Sequence, residues 1–399
     1  MLKSSVLFTK KELRTFCTYR LVFGIGYSVM IPIIPLYLNS IGLTTVMIGT
    51  ILSLYGVSKA IVQIPFGVIS DFIGDKLVLM LAILLMVFIP FSYTLNKSQL
   101  ISGWIYIIQG AILGMAAPAT FSILSRSLDF KKRGESTGLA SAVFTFGGGI
   151  GAAIGGIIVS KTSNYNLSFY TSSIIILLSL IYVKLKIKRN SNHCKTRASR
   201  SCKSNNIFAE IRKFKLGYKI LVLGAIAFLG DFIYGCVVAL FHFYGRDVLG
   251  ATTSYTSAII SIYLMVFGVG APIAGWVSDK IGNKRQLFLS FAVMNISLLG
   301  LALTRSIPIF TAIIIVYFLG ATFLNASLQS SLSEFGDKPR IKGIVFGFVG
   351  AAELCGYAFG PIASAYVYEI NKSFLFFGLL FVSIIVSIVY LGLHKKACI

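Results

Sequence analysis

Acidic residues are scarce in this 399-residue chain: 13 Asp and Glu stand against 36 Lys and Arg, with only three histidines. Charged residues of every kind reach 12%, about half the share of a soluble domain. So thin a charge complement argues against a soluble globular fold. No nucleophile–His–carboxylate set is present, so the chain is not read as an enzyme. A phosphate-binding loop is missing too, which removes the usual sign of ATP-driven transport. His193, Cys194 and Cys202 could be imagined as part of a zinc site, but four ligands at recognisable spacing are not there. Neither metal nor cofactor is expected. The six cysteines fall in apolar runs or in basic segments that face a reducing compartment, which argues against disulfides.

What fills the chain instead is apolar sequence. Hydrophobic residues make up 56%, the mean hydropathy is +0.85, and runs of about 20 apolar residues recur along the length. Twelve runs are read, centred near Ser28, Leu54, Met86, Ala111, Ile150, Ile176, Cys236, Leu264, Ser297, Phe318, Ala352 and Phe381. The first contains Arg20 and Pro32 and is followed by further spans, so a cleaved signal peptide is not expected. The fold class is therefore an all-α, multi-pass membrane protein of 12 transmembrane helices.

The net charge of +23 is distributed unevenly. Counting connections alternately, 29 of the 36 basic residues fall on one side, five on the other, and Arg20 and Lys59 lie inside spans. By the positive-inside rule both termini are cytoplasmic, and only an even number of spans gives this alternation. Much of the positive charge lies between residues 185 and 216, a Ser- and Asn-containing basic stretch read as a cytoplasmic linker. It separates residues 1–184 from 217–399, each holding six spans. The linker charge suits anionic lipid headgroups, and nothing suggests a nucleic-acid partner. A monomer in the cell membrane is expected.

The two halves repeat each other. GVISDFIGDK at 67–76 returns as GWVSDKIGNK at 275–284, 208 positions later. One residue of slippage on, Gly134, Gly147 and Gly151 superimpose on Gly343, Gly356 and Gly360. Parallel six-span repeats are a known way to build secondary transporters, with the substrate site between the halves near the midplane.

These strings resemble motifs of the major facilitator superfamily. The hairpins carrying Gly67, Asp71, Gly74 and Lys76, and Gly275, Asp279, Lys280, Gly282 and Lys284, are similar to that family's loop motif between helices two and three and between eight and nine. The resemblance implies a gating latch associated with the outward-facing state. The first copy departs at Phe72 and Asp75, where the family favours basic residues, and a weaker clamp is expected there. FGGGIGAAIGG resembles the helix-five antiporter motif, with Gly147, Gly151, Gly155 and Gly156 in place and Ala152 for its proline; Gly356, Gly360 and Pro361 are the second-half equivalents. Antiport is what this motif implies, and plain helix packing through bare glycine faces is the alternative. YIIQG keeps Gln109 and Gly110 of the helix-four motif, but Tyr106 replaces the arginine many drug antiporters carry. DFKKRGESTG at 129–138 resembles the loop after helix four and supports membership alone.

Charges inside spans are costly unless they face a partner or water. Four stand out: Arg20, Lys59, Asp231 and Glu353. Lys59 and Glu353 lie about 12 and 15 Å in from the cytoplasmic ends of their spans, and the fold this resemblance implies sets those helices face to face. An ion pair between them that shifts during transport is expected, with a permanent packing pair as the alternative. Asp231, near the midplane, is the first candidate for proton coupling or for holding a cationic substrate, and Glu353 the second; Asp231 could instead only neutralise Arg20. Tyr27, Gln63, Tyr106, Gln109, Asn325 and Gln329 are polar enough to line a pathway. His242 is read as an interfacial residue near the outer end of its span, and the sequons at Asn96, Asn166 and Asn371 fall in outer loops.

The expected function is secondary active transport by alternating access: proton-coupled export of small amphipathic or drug-like compounds. Alternatives are uptake or exchange of a nutrient or organic anion, drawn by Arg20 and Lys59, and a transporter-like sensor that moves nothing.

Overall fold

The computed structural model describes residues 11–127, 133–187, 217–333 and 339–397, and every long element in them is a helix. The first half contains α1 (Lys11–Ser28), α2 (Ile34–Ser40), α3 (Thr45–Ile73), α4 (Asp75–Leu95), α5 (Gln99–Ser127), α6 (Arg133–Thr162) and α7 (Tyr165–Lys186). The second contains α8 (Gly217–Leu249), α9 (Thr253–Ile281), α10 (Asn283–Leu303), α11 (Ile307–Ser333), α12 (Pro339–Ile370) and α13 (Leu375–Ala397). Together they form twelve spans in two pseudo-symmetric six-helix bundles. The basic segment 188–216 and the motif residues 129–132 lie outside the described residues.

The first span is broken in two. Prolines at 32 and 35 cannot donate to the carbonyls of Ser28 and Ile31, so α1 ends and the chain tightens into a turn in which Met30 and Ile31 donate to Tyr27 and Ser28. Among the described residues, ten helical segments are long and apolar enough to cross a membrane on length and composition. α1 is the polar span, with Lys11, Glu12, Arg14 and Arg20 in 18 residues.

Helix directions alternate, so the termini, the ends of the linker and the α3–α4 and α9–α10 hairpins share one face, called here the linker side. On the opposite, far side, Thr44 caps α3 by accepting from the Met47 amide and Thr252, 208 positions on, caps α9 by accepting from that of Tyr255. The linker-side hairpins match as closely. Gly74 and Gly282 each join two helices at φ of 105° and 85°, a backbone conformation costly to any residue with a Cβ. Just before them Ser70 and Ser278 donate to Asp75 (2.6 Å) and Asn283 across the turn.

Asp75 does more than complete this turn. It is buried, accepts from Ser122 at 2.7 Å and pairs with Arg126, tying the α3–α4 hairpin to α5. Where the sequence led to a weaker clamp, the acidic residue is an anchor within the first half. Lys76 Nζ donates to the Lys184 carbonyl at 2.9 Å, which fixes α4 to the end of α7. In the second hairpin Lys280 Nζ sits 3.8 Å over the Trp276 ring, and the carbonyl of Lys284 accepts from Tyr390 at 3.1 Å. The side chains of Asp71 and Asp279 lie outside the described residues.

Glycines set the helix spacing inside each half. Gly147, Gly151 and Gly155 rest on the carbonyls of Leu21, Ile25 and Val29, and Gly356 and Gly360 on those of Phe228 and Phe232, so a methyl group at any of them would strike backbone. Close approach of this kind suits packing in lipid, where no hydrophobic force drives helices together.

The halves themselves meet unevenly. Along the face of α3 turned to α12, Gly49, Ser53 and Gly56 are buried, whereas Ala60, Gln63 and Gly67 further on are half-exposed. Gly49 packs on Pro361 and Ala365, and Ser53 accepts from the Ile362 amide at 3.1 Å. The matching face of α9 buries Ser257 against Gly156 and donates from Ser261 to the Gly149 carbonyl at 2.6 Å, then loosens beyond Gly268. Ser53 and Ser261 are 208 positions apart, so the two seams share one design. Towards the linker side Gly275, Gly347 and Gly350 have open space beside them. The bundle is closed on the far side and parted on the linker side.

Candidate transport site between the halves

Where the seam parts, six tyrosines meet. Tyr27 and Tyr55 share a hydroxyl hydrogen bond of 2.8 Å. Tyr55 stacks on Tyr106 with centroids 4.8 Å apart and touches Tyr357 of the other half at 5.6 Å. Tyr357 meets Tyr234 at 5.9 Å, and Tyr234 stacks on Tyr263 at 5.8 Å. Tyr263 ends the ladder against Phe318 at 4.8 Å. This aromatic layer runs through both halves and forms the far-side roof of the cleft.

The three midspan charges hang one turn below the roof. Lys59 is four residues from Tyr55 and Glu353 four from Tyr357, each towards the linker side, a drop of about 6 Å. Asp231 is three residues below Tyr234, or about 4.5 Å. Their backbones are held by close helix contacts: Gly114 of α5 sits on the Lys59 carbonyl, and Gly356 of α12 packs on Phe228 and Phe232 on either side of Asp231. Lys59 acts electrostatically on both Asp231 and Glu353, and the two carboxylates act on each other. All three side chains are half-buried.

The expected Lys59–Glu353 pair is not closed in this conformation. Ion pairs among the described residues join Arg126 to Asp75 and both Arg246 and Lys372 to Asp247, and Lys59 is in none of them. One ammonium faces two carboxylates across a parted cleft, which leaves a net charge of −1 when all three are ionised. Arg20 is elsewhere. Its guanidinium lies 3.9 Å over the Phe144 ring, near Tyr19 and Cys17, so it does not serve as the counter-charge of Asp231.

A cavity of about 60 Å³ opens beside Asp231, with Tyr234, Tyr263, Phe267, Tyr317 and Asn325 among its walls. It has room for a few waters. Of the other polar candidates, Tyr27, Tyr106 and Gln109 belong to the roof region, with the Gln109 Oε1 buried and unpartnered. Gln63 faces the parted cleft, and Gln329 is exposed and not part of the cavity wall. His242 is corrected: it is fully buried, its Nδ1 2.5 Å from Thr256 Oγ1. Thr256 lies in the first turn of α9, so the ring is near the far-side end of its span, as expected, but packed between helices and not exposed there. No group of three metal-ligating side chains occurs among the described residues.

Tyr55, Tyr234, Tyr263 and Tyr357 were missed by sequence reasoning. A signal existed: Tyr27 and Tyr234, and Tyr55 and Tyr263, are 207 and 208 positions apart, within one residue of the offset that relates the hairpins.

Comparison with known proteins bears on the family and the fold. The sequence model of the Major Facilitator Superfamily matches residues 16–340 and, in a second match, residues 220–397. The multidrug resistance protein MdtG of Proteus mirabilis is 23% identical over 86% of both chains. The "Probable nitrate transporter NarT" of Staphylococcus epidermidis is likewise 23% identical, over 96% of both. A crystal structure of the nucleoside transporter NupG superimposes with a TM-score of 0.76 at 11% identity, covering 96% of this chain and all of that one.

Proposed function

The chain belongs to the Major Facilitator Superfamily, a family of multi-pass membrane transporters of small molecules, and on that premise we propose that it exports amphipathic, cationic drug-like compounds in exchange for protons. The observation that carries this reading is the pair of carboxylates, Asp231 and Glu353, at the foot of an aromatic roof in a cleft parted on one side. A carboxylate there has two uses: neutralised by a proton it returns empty, and ionised it holds an ammonium. The tyrosine rings add faces to which a lipophilic cation is attracted. Likeness to a multidrug resistance protein supports the substrate class.

The positive charge of the linker side supports a cytoplasmic placement; on that reading the conformation described here is inward-facing, in the cell membrane, with both termini inside. Residues 1–184 and 217–399 are the units that rock, joined by the linker 185–216, and one chain completes the cleft, so a monomer suffices. In the opposite state the Ser53–Ile362 and Ser261–Gly149 contacts separate and the two hairpins approach. Lys59 and the likeness to a nitrate transporter favour a second reading, anion movement.

Flux in proteoliposomes under an imposed pH gradient tests the proposal. Export requires a lipophilic cation to move against the proton flow, with Asp231→Asn abolishing the pH dependence. Movement of an anion with protons would support the second reading, and binding without flux would make the chain a sensor.

A further inference from the structure

We propose that Lys59 determines specificity by occupying, as a tethered ammonium, one of two cation places before Asp231 and Glu353, so that the site accepts a single positive charge per cycle. The inference rests on the transport reading above. Its first support is register: 208 positions on, Lys59 corresponds to Phe267, which lines the cavity beside Asp231. The lysine thus stands in the first half where its counterpart forms the cavity wall in the second. Next, Gly114 pins the Lys59 backbone one turn below the Tyr55–Tyr357 contact, level with both acids. Finally, the ammonium makes no ion pair among the described residues, so a flexible four-carbon stem leaves it a neighbour that yields ground to a ligand and not a locked partner.

Charge arithmetic gives the consequence. Two carboxylates and one ammonium have room for one more positive charge, met by a proton or by a monovalent organic cation. A ligand with two cationic centres would set its second charge against Lys59, and like-charge contact of this kind is how a site rejects a competitor. Arg20, held over Phe144, does not add to the count. Polar groups near the three charges include Tyr234, Tyr263, Tyr317 and Asn325, which line the cavity with Asp231, and the roof tyrosines Tyr55, Tyr106 and Tyr357.

The test measures binding of tetraphenylphosphonium, with one charge, and decamethonium, with two, to the purified full-length protein. The wild type is expected to prefer the single charge. Lys59→Met should raise decamethonium affinity at least tenfold relative to tetraphenylphosphonium, Lys59→Gln should do the same, and Lys59→Arg should keep the wild-type preference. Because each ratio is taken within one sample, a lower folded fraction in a variant cancels. A wild type that binds tetraphenylphosphonium but shares its ratio with Lys59→Met and Lys59→Gln overturns the inference alone. A wild type that binds neither cation overturns the cation-transport reading and the inference with it.

Discussion

The two halves of this molecule agree in scaffold and differ in charge. Thr44 and Thr252 cap equivalent helices, Gly74 and Gly282 turn equivalent hairpins, Ser53 and Ser261 bridge equivalent seams, and Tyr27 and Tyr55 recur as Tyr234 and Tyr263. At matching offsets of 207 to 209, however, Asp231 faces Gly24, Lys59 faces Phe267 and Glu353 faces Phe144. Duplication explains the hinge, the seams and the roof. The charges do not follow the repeat: the cation stands in the first half and both acids in the second. A symmetric frame can rock; an asymmetric set of charges gives the rocking something to respond to.

The sharpest way to break this comparison is to remove the asymmetry. Asp231→Asn should lower flux driven by a pH gradient at least tenfold while leaving the thermal midpoint of the purified protein nearly unchanged, since no described hydrogen bond ends on that carboxylate. An equal loss of stability would instead make Asp231 a packing residue. Next come the shared glycines. Gly151→Leu forces a side chain onto the Ile25 carbonyl and Gly360→Leu onto that of Phe232, and each should cost about 1–3 kcal/mol or more. Gly392→Leu, with open space around it, should cost little. Thermal unfolding in detergent separates the two classes.

The hairpins give a smaller effect. Asp75→Asn makes the first hairpin resemble the second at Asn283, removing a charged acceptor from Arg126, Ser70 and Ser122. The expected loss is about 2 kcal/mol, whereas Asn283→Asp should be milder because Ser278 can still donate to it. Smallest are the seam serines. Ser53→Ala and Ser261→Ala each delete one contact between the halves, worth about 1 kcal/mol, and should raise the far-side-open population several-fold in distance measurements. Equal shifts from the two variants would sharpen the symmetry, and a shift from only one would break it.

Much of this was legible in the sequence because it is written in length and repetition. Span number, the alternation of basic loops and the recurring hairpin need no knowledge of side-chain contacts. Asp231, Glu353 and Lys59 were conspicuous because a charge inside an apolar span has no inexpensive location. Their geometry was not legible: a one-to-one pair between Lys59 and Glu353 was the simplest expectation, and which acids share a lysine depends on helix rotation that spacing leaves free. Tyrosines were hidden for another reason. Tyr55, Tyr263 and Tyr357 fit apolar periodicity as well as phenylalanine does, so their hydroxyls and ring contacts emerge only once helices from both halves are side by side. That His242 is buried against Thr256 and that Arg20 lies over Phe144 depend on helix rotation too, which spacing leaves free.

The central claim is that the halves part on one side while they close on the other about the Asp231–Glu353–Lys59 site. It is tested most directly by spin-label distances in a cysteine-free background, with one pair at Met47 and Tyr366 on the far side and another at Val68 and Phe348 on the linker side. On changing pH or adding a lipophilic cation, the first distance should lengthen as the second shortens, and Asp231→Asn should suppress the change. Two distances that lengthen together, or that stay fixed while substrate is transported, would contradict the account.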